Sequence, residues 1–180
     1  MILRFTGDIW QNHPCCVVVM NEQLIKERPI FTQKVMNAIV RAQIWLNDHP
    51  EKAASILCKE GGNYLPVSER TLARVFLKYD QATYSHNLPK AIRHPHWPIG
   101  RIGFQPYPFP SATRFIIQEM KKAIMEGDQD FLNTISPEVM AQDLVDTTFV
   151  KKAINLMGGP GRFREIDLQS PWERQEVISL

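Results

Sequence analysis

The sequence predicts an α/β protein, helix-rich with few strands of a parallel sheet, and three observations carry that prediction. Residues 15–20 read CCVVVM, a continuous β-branched apolar run of strand length. Such runs are buried on both faces and belong to mostly parallel sheets covered by helices. Three stretches with helical spacing follow between Phe31 and Tyr79 with no further strand among them. A second helical block runs from Ser111 to the glycine pair Gly158-Gly159.

The strand is bounded by Pro14 and by the polar Asn21-Glu22-Gln23. NEQLIKERP then reads as one or two helical turns closed before Pro29. In the next helix Phe31, Val35, Ala38, Ile39, Ala42, Trp45 and Leu46 share one face, and Gln33, Lys34, Asn37, Arg41 and Asn47 take the other. It should pack on the sheet with Trp45 in the core and stop near His49. Pro50 fits the first position of a helix capped by Asp48 or His49, with Ala54, Leu57 and Cys58 on its apolar side and Gly61-Gly62 as terminator. Ser68 is an N-cap for a helix burying Leu72, Val75, Phe76 and Tyr79.

From Ala82 to Pro110 the pattern breaks. HNLPKAIRHPHWPIGRIGFQPYPFPS holds six prolines and two glycines among four aromatic residues. A loop this long inside a compact domain is functional or wraps a partner, and it is the expected flexible element. Helical order resumes with Ser111 as N-cap, an apolar face of Phe115, Ile116, Met120, Ala123 and Ile124, and an end at Gly127. Short helices punctuated by Ser136-Pro137 lead to Gly158-Gly159, and the tail after Gly161 reads as polar and peripheral.

Composition excludes several classes. The 180 residues are 44% hydrophobic and 22% charged, ordinary for a globule of one domain or one large piece of a two-lobed protein. With 21 basic and 19 acidic side chains the formal charge is +2, which implies no nucleic-acid partner. No apolar stretch approaches the roughly 18 to 20 residues of a membrane span, and MILRFTGDIW does not read as a signal peptide. Cys15, Cys16 and Cys58 lack C-x-x-C spacing, so neither a disulfide framework nor a zinc knuckle is read. Neighbouring cysteines of a strand also point to opposite faces.

Four candidate sites stand out by their chemistry. His13, Cys15 and Cys16 could supply a base and a thiolate, yet free cysteines are commonly buried structural residues, as at the mouth of a strand. His94-x-His96, with His86 and His13, could grip a transition metal, but no carboxylate or cysteine stands at matching spacing. GGPGRF at Gly158 to Phe163 lacks the Lys-Ser/Thr of a phosphate loop and reads as a helix stop. Trp10 and Trp97 are plausible cleft residues, because clefts are lined by aromatic side chains with polar tips. Spacing alone supplies no catalytic pattern.

Several phrases in order carry a resemblance. DIWQNHPCCVVVMNEQLIKERP, RAQIWLNDHPEKAASIL, GFQPYPFPSAT and GDQDFL, within Asp8 to Phe163, resemble the later part of solute-binding proteins of ABC transporters in the nitrate, sulfonate, taurine and bicarbonate group. The resemblance implies part of a type II periplasmic-binding-protein-like fold, whose two lobes close over a small anion or its amine-bearing relative. Members run roughly twice this length, so residues 1–163 are expected to be a second-half region and 164–180 a peripheral tail. Nitrate-receptor-like members carry a Pro-Glu-Lys-like stretch at about Pro14-Cys15-Cys16. Lysine holds an anion by charge and hydrogen bonds, whereas Cys16 is a weak donor, which weighs against nitrate or bicarbonate specificity.

The expected function is therefore a solute-binding component, or truncated fragment, of an ABC import system for a small anion or nitrogen- or sulfur-containing solute, with no catalysis, cofactor or metal. Ligand-binding candidates are Trp10, His13, Cys15, Cys16 and Trp97. Expected partners are a small-molecule solute and the transporter permease and ATPase, with homo-oligomers through the surface a missing lobe would cover. The compartment is periplasmic for a fragment of an exported receptor and cytoplasmic for the chain as written. A cytoplasmic regulatory domain of the same fold is the alternative; behind it stands an enzyme like the thiamin-pyrimidine synthases, which share the fold and employ histidine and cysteines.

Overall fold

Local capping chemistry sets most of the helix starts. The computed structural model describes residues 5–77, 102–124, 126–163 and 168–178. Helix α1 is Thr6–Ile9 and α2 is Glu22–Glu27, opened by the Asn21 side chain accepting the Leu24 N–H at 3.2 Å. Helix α3 runs Pro29–Asp48 and α4 Pro50–Leu57, each beginning on a proline whose missing N–H would have no helical partner there. Ser68 accepts the Thr71 N–H at 3.3 Å to open α5, Glu69–Phe76. Later come α6 (Pro110–Lys122), α7 (Asp130–Thr134), α8 (Pro137–Leu144) and α9 (Thr148–Leu156). Ser136 caps α8 by accepting the Val139 N–H at 3.4 Å. After a 3-10 turn at Pro160–Arg162, β1 (Leu168–Ser170) pairs antiparallel with β2 (Glu173–Arg174).

The chain divides into two compact units. The first comprises Met1–Asn12, Arg41–Gln105 and Ile178–Leu180; the second comprises His13–Val40 and Pro106–Val177. In the first, α4 packs on α5 around buried Ala54, Cys58 and Leu72, with Leu57, Val67, Ala73 and Phe76 against them. The turn after α4 is tight. A Cβ on Gly61 would stand 2.0 Å from the Ser55 carbonyl oxygen, so only glycine fits that approach. In the second unit α6 packs on α7, α8 and β2. The Lys121 ammonium donates to the Ile135 carbonyl at 2.7 Å, and the Gln33 amide to the Phe149 carbonyl at 3.0 Å. Gly158 and Gly159 end α9 at φ 106° and 83°, the left-handed region that the glycine pair was expected to serve.

The structure corrects the sequence reading at several points. CCVVVM is not a buried strand: residues 15–20 belong to no helix or strand, and Cys15, Cys16, Val17, Val18 and Val19 are exposed. A strand buried on both faces needs hydrogen-bonded neighbours, and among the described residues none pairs with this run. The only sheet among the described residues is the β1–β2 hairpin, antiparallel rather than parallel. The fold is helix-rich with a small two-stranded sheet, compatible with the α/β class.

Helix α3 buries Thr32 and Val40, one residue round from the predicted line through Phe31, Val35 and Ile39. Phe31, Ala38, Ala42 and Trp45 are exposed. No described sheet covers the stripe; instead Arg28 lies over the Phe31 ring at 5.2 Å, and Trp45 stacks on His49 at 5.1 Å. Helix α4 stops at Leu57, before the glycines, although Cys58 is buried as expected. Ser111 is not the N-cap of α6; Phe109 holds that position, and the Ser111 hydroxyl donates to Glu176 at 2.6 Å instead. That helix ends at Lys122 rather than Gly127, with Ala112 and Ile117 buried and Ile116, Met120 and Ile124 exposed. With Ile124 in solvent, another turn would bury nothing to offset its ordering entropy.

Of the proline-rich stretch, residues 82–101 lie outside the described residues, as does Tyr79. The described remainder is tied down. Asn47 donates to the Phe104 carbonyl at 3.0 Å and accepts its N–H at 3.1 Å, and Tyr107 and Phe109 are buried. The tail is equally engaged: Arg174 is buried on β2, and Ile178 forms a bridge with Trp10.

Candidate functional site

The segment from Asp8 to Met20 leaves α1 through buried Asp8 and Gln11 and turns at Asn12, whose φ is 55°. Asparagine tolerates this left-handed conformation because its short polar side chain can bond locally. Trp10 is half-buried and belongs to the first unit; His13, also half-buried, begins the second. Cys15 and Cys16 follow as exposed free thiols. Trp97, His86, His94 and His96 lie outside the described residues. The structure thus places His13, Cys15 and Cys16 on one non-helical stretch.

The stretch offers two thiols and an imidazole, all weak hydrogen-bonding groups. Hydrogen bonding to the Cys16 thiol, then its charge, then slight desolvation, hold the Cys15 thiol above its ordinary range. A nucleophilic cysteine requires the opposite shift, produced by a cation, a helix N-terminus or an imidazolium. Cys15 is therefore protonated at neutral pH and suited to contact rather than attack. Among the described residues no three His, Cys, Asp or Glu side chains gather as a metal site.

A second polar cluster, entirely within the second unit, escaped the sequence reading. The Lys151 ammonium sits 5.6 Å from the centre of the Tyr107 ring and 5.4 Å from that of Trp172, and the two rings are 4.9 Å apart. Arg174 lies 4.6 Å over the Phe109 ring and forms a two-armed pair with Glu176, at 2.9 Å and 3.3 Å. Ring quadrupoles attract both cations, so the cluster fastens the hairpin to α9 and the start of α6. Its aromatic members stood in PYPFPS and SPWERQE, but nothing local marks Lys151 as their partner.

Residues 1–59 match the model of the NMT1-like family, a non-enzymatic family of ABC-transporter solute-binding proteins. The matched part holds α1 to α4 and the whole Trp10 to Cys16 segment. No curated protein and no solved structure matches the chain. Over its first 59 residues the chain is thus similar to the solute-binding component of an ABC transport system.

Proposed function

We propose that this chain is the solute-binding component, or a piece of one, of an ABC import system for a small anion or a nitrogen- or sulfur-containing solute. The observation that carries the proposal is the NMT1-like match across residues 1–59. It acts by binding and delivery to a permease and ATPase, with no bond of the solute broken. Trp10, His13, Cys15 and Cys16 are the proposed solute contacts, together with Trp97 from the sequence reading. Two thiols, an imidazole and an indole are aromatic and weakly donating groups. They favour a solute with an apolar or sulfur-bearing part over a bare oxyanion, which is better held by lysine or arginine.

A thermal-shift panel of nitrate, sulfonates, taurine and pyrimidine compounds tests the proposal. A ligand at about 100 times its dissociation constant adds about 2.7 kcal/mol, so a true solute raises the midpoint by several degrees. Trp10→Ala and His13→Ala should each reduce that rise. A panel in which no compound moves the midpoint rejects the function.

A further inference from the structure

We propose that Lys151, with the Tyr107 and Trp172 rings, forms a binding site for a small aromatic carboxylate. The Lys151 ammonium is held against two rings, 5.6 Å from the Tyr107 centre and 5.4 Å from the Trp172 centre. Among the described residues its side chain meets no carboxylate and no carbonyl oxygen. The carboxylates near it in the chain are committed elsewhere: Asp146 accepts the Thr148 N–H at 2.8 Å, and Glu176 takes Arg174 and the Ser111 hydroxyl. Glu173, on the hairpin, is exposed and pairs with no cation among the described residues.

An ammonium carries three donors and no acceptor. Ring faces answer its charge but are poor hydrogen-bond acceptors. Lys151 is half-buried on α9, so part of its side chain faces solvent and an incoming anion can reach the charge. One ammonium is a point charge, matched by one negative charge. A cationic ligand is excluded, because Lys151 already holds the electron-rich faces of the rings.

The rings define the rest of the ligand. Tyr107 is only 6% exposed, whereas Trp172 is half-buried and leaves part of its indole uncovered. The two rings lie 4.9 Å apart at a tilt of 57°, so the indole rests on a covered neighbour. A flat aromatic body stacks on the open part of the indole, and a carboxylate coplanar with that body reaches the ammonium in the same plane. A tetrahedral sulfonate would aim one oxygen at the indole face. Lys151, Tyr107 and Trp172 all lie in the second unit and outside residues 1–59, so the site stands apart from the transport reading.

The test titrates the full chain with benzoate by calorimetry and ligand-observed NMR. Benzoate should bind saturably at one site per chain. Benzamide, which keeps the shape and lacks the charge, should bind at least about tenfold more weakly, as should acetate, which lacks the ring. Lys151→Gln should lose about tenfold or more and Trp172→Leu about fivefold, with circular dichroism unchanged, and Trp10→Ala should bind benzoate as the wild type does. Absence of saturable binding, or equal affinity for benzamide or acetate, overturns the proposal on the wild-type chain alone, whether or not a variant folds. Full affinity in a folded Lys151→Gln also overturns it, as does loss of benzoate binding in Trp10→Ala. Tighter binding of benzenesulfonate than of benzoate overturns the carboxylate class. A failed solute panel leaves these results untouched, and their failure leaves the transport reading untouched.

Discussion

Replacing Glu176 by alanine should cost the protein a large share of its stability, although the residue lies near the C-terminus on a stretch whose sequence reads as peripheral. Its carboxylate accepts from Arg174 at 2.9 Å and 3.3 Å and from the Ser111 hydroxyl at 2.6 Å. The Arg174 and Glu176 side chains are only 6% and 8% exposed. Removing one partner of a buried pair leaves an uncompensated charge and costs about 3–5 kcal/mol, whereas an exposed pair is worth about 0–1 kcal/mol. With a urea dependence of about 1–3 kcal/mol per molar, the unfolding midpoint should fall by roughly 1–5 M. The exposed Glu22–Lys26 pair is the control, and Glu22→Ala should leave the midpoint where it was. Replacing both members by apolar residues, Arg174→Met with Glu176→Leu, should recover most of the loss. A Glu176→Ala midpoint within about 0.2 M of the wild type, corresponding to about 0.5 kcal/mol, would refute the burial of the pair.

Three further outcomes follow from particular contacts. Gly61→Ala places a Cβ 2.0 Å from the Ser55 carbonyl oxygen in a turn that also carries the Gly62 N–H to the Ile56 carbonyl at 2.8 Å. It should cost about 2 kcal/mol, read as a lowered thermal midpoint; an unchanged midpoint would contradict the close approach. Ser68→Ala removes the acceptor of the Thr71 N–H and should cost about 1 kcal/mol, with faster amide exchange at Thr71; unaltered exchange would mean that the cap is not formed in solution. Iodoacetamide should label Cys15 more slowly than free cysteine at about pH 8, because Cys16 raises the Cys15 thiol and keeps it protonated. As pH rises through the shifted value the rate should catch up, and Cys16→Ser should move the profile back toward the free thiol. Labelling faster than free cysteine at neutral pH would restore the nucleophile reading.

What could be read from the sequence was local. Pro50 and Pro137 at helix starts, and Ser68 and Ser136 before them, act within one helical turn, so their roles follow from neighbours alone. Ser111 looked the same and failed, because Glu176 captures its hydroxyl from 65 residues away. CCVVVM failed for the related reason that a strand exists only with a partner, and apolar β-branched residues do not name one. In α3 the helix was legible but its buried face was not, since Thr32 and Val40 are buried while Phe31, Ala38, Ala42 and Trp45 are exposed. The candidate segment was visible as a motif, but its two exposed thiols were not, because exposure depends on whether other residues cover the run. Lys151, Tyr107 and Trp172 stand far apart in sequence, and no local pattern announces that they meet.

Titration calorimetry measures solute binding itself. The chain is titrated with nitrate, a series of sulfonates, taurine and pyrimidine compounds, and the same titrations are repeated with Trp10→Ala. Saturable heat is expected with one solute class at one site per chain, weakened by about tenfold, or about 1.4 kcal/mol, in the variant. Absence of heat across the whole panel, from protein shown to be folded by circular dichroism, would contradict it.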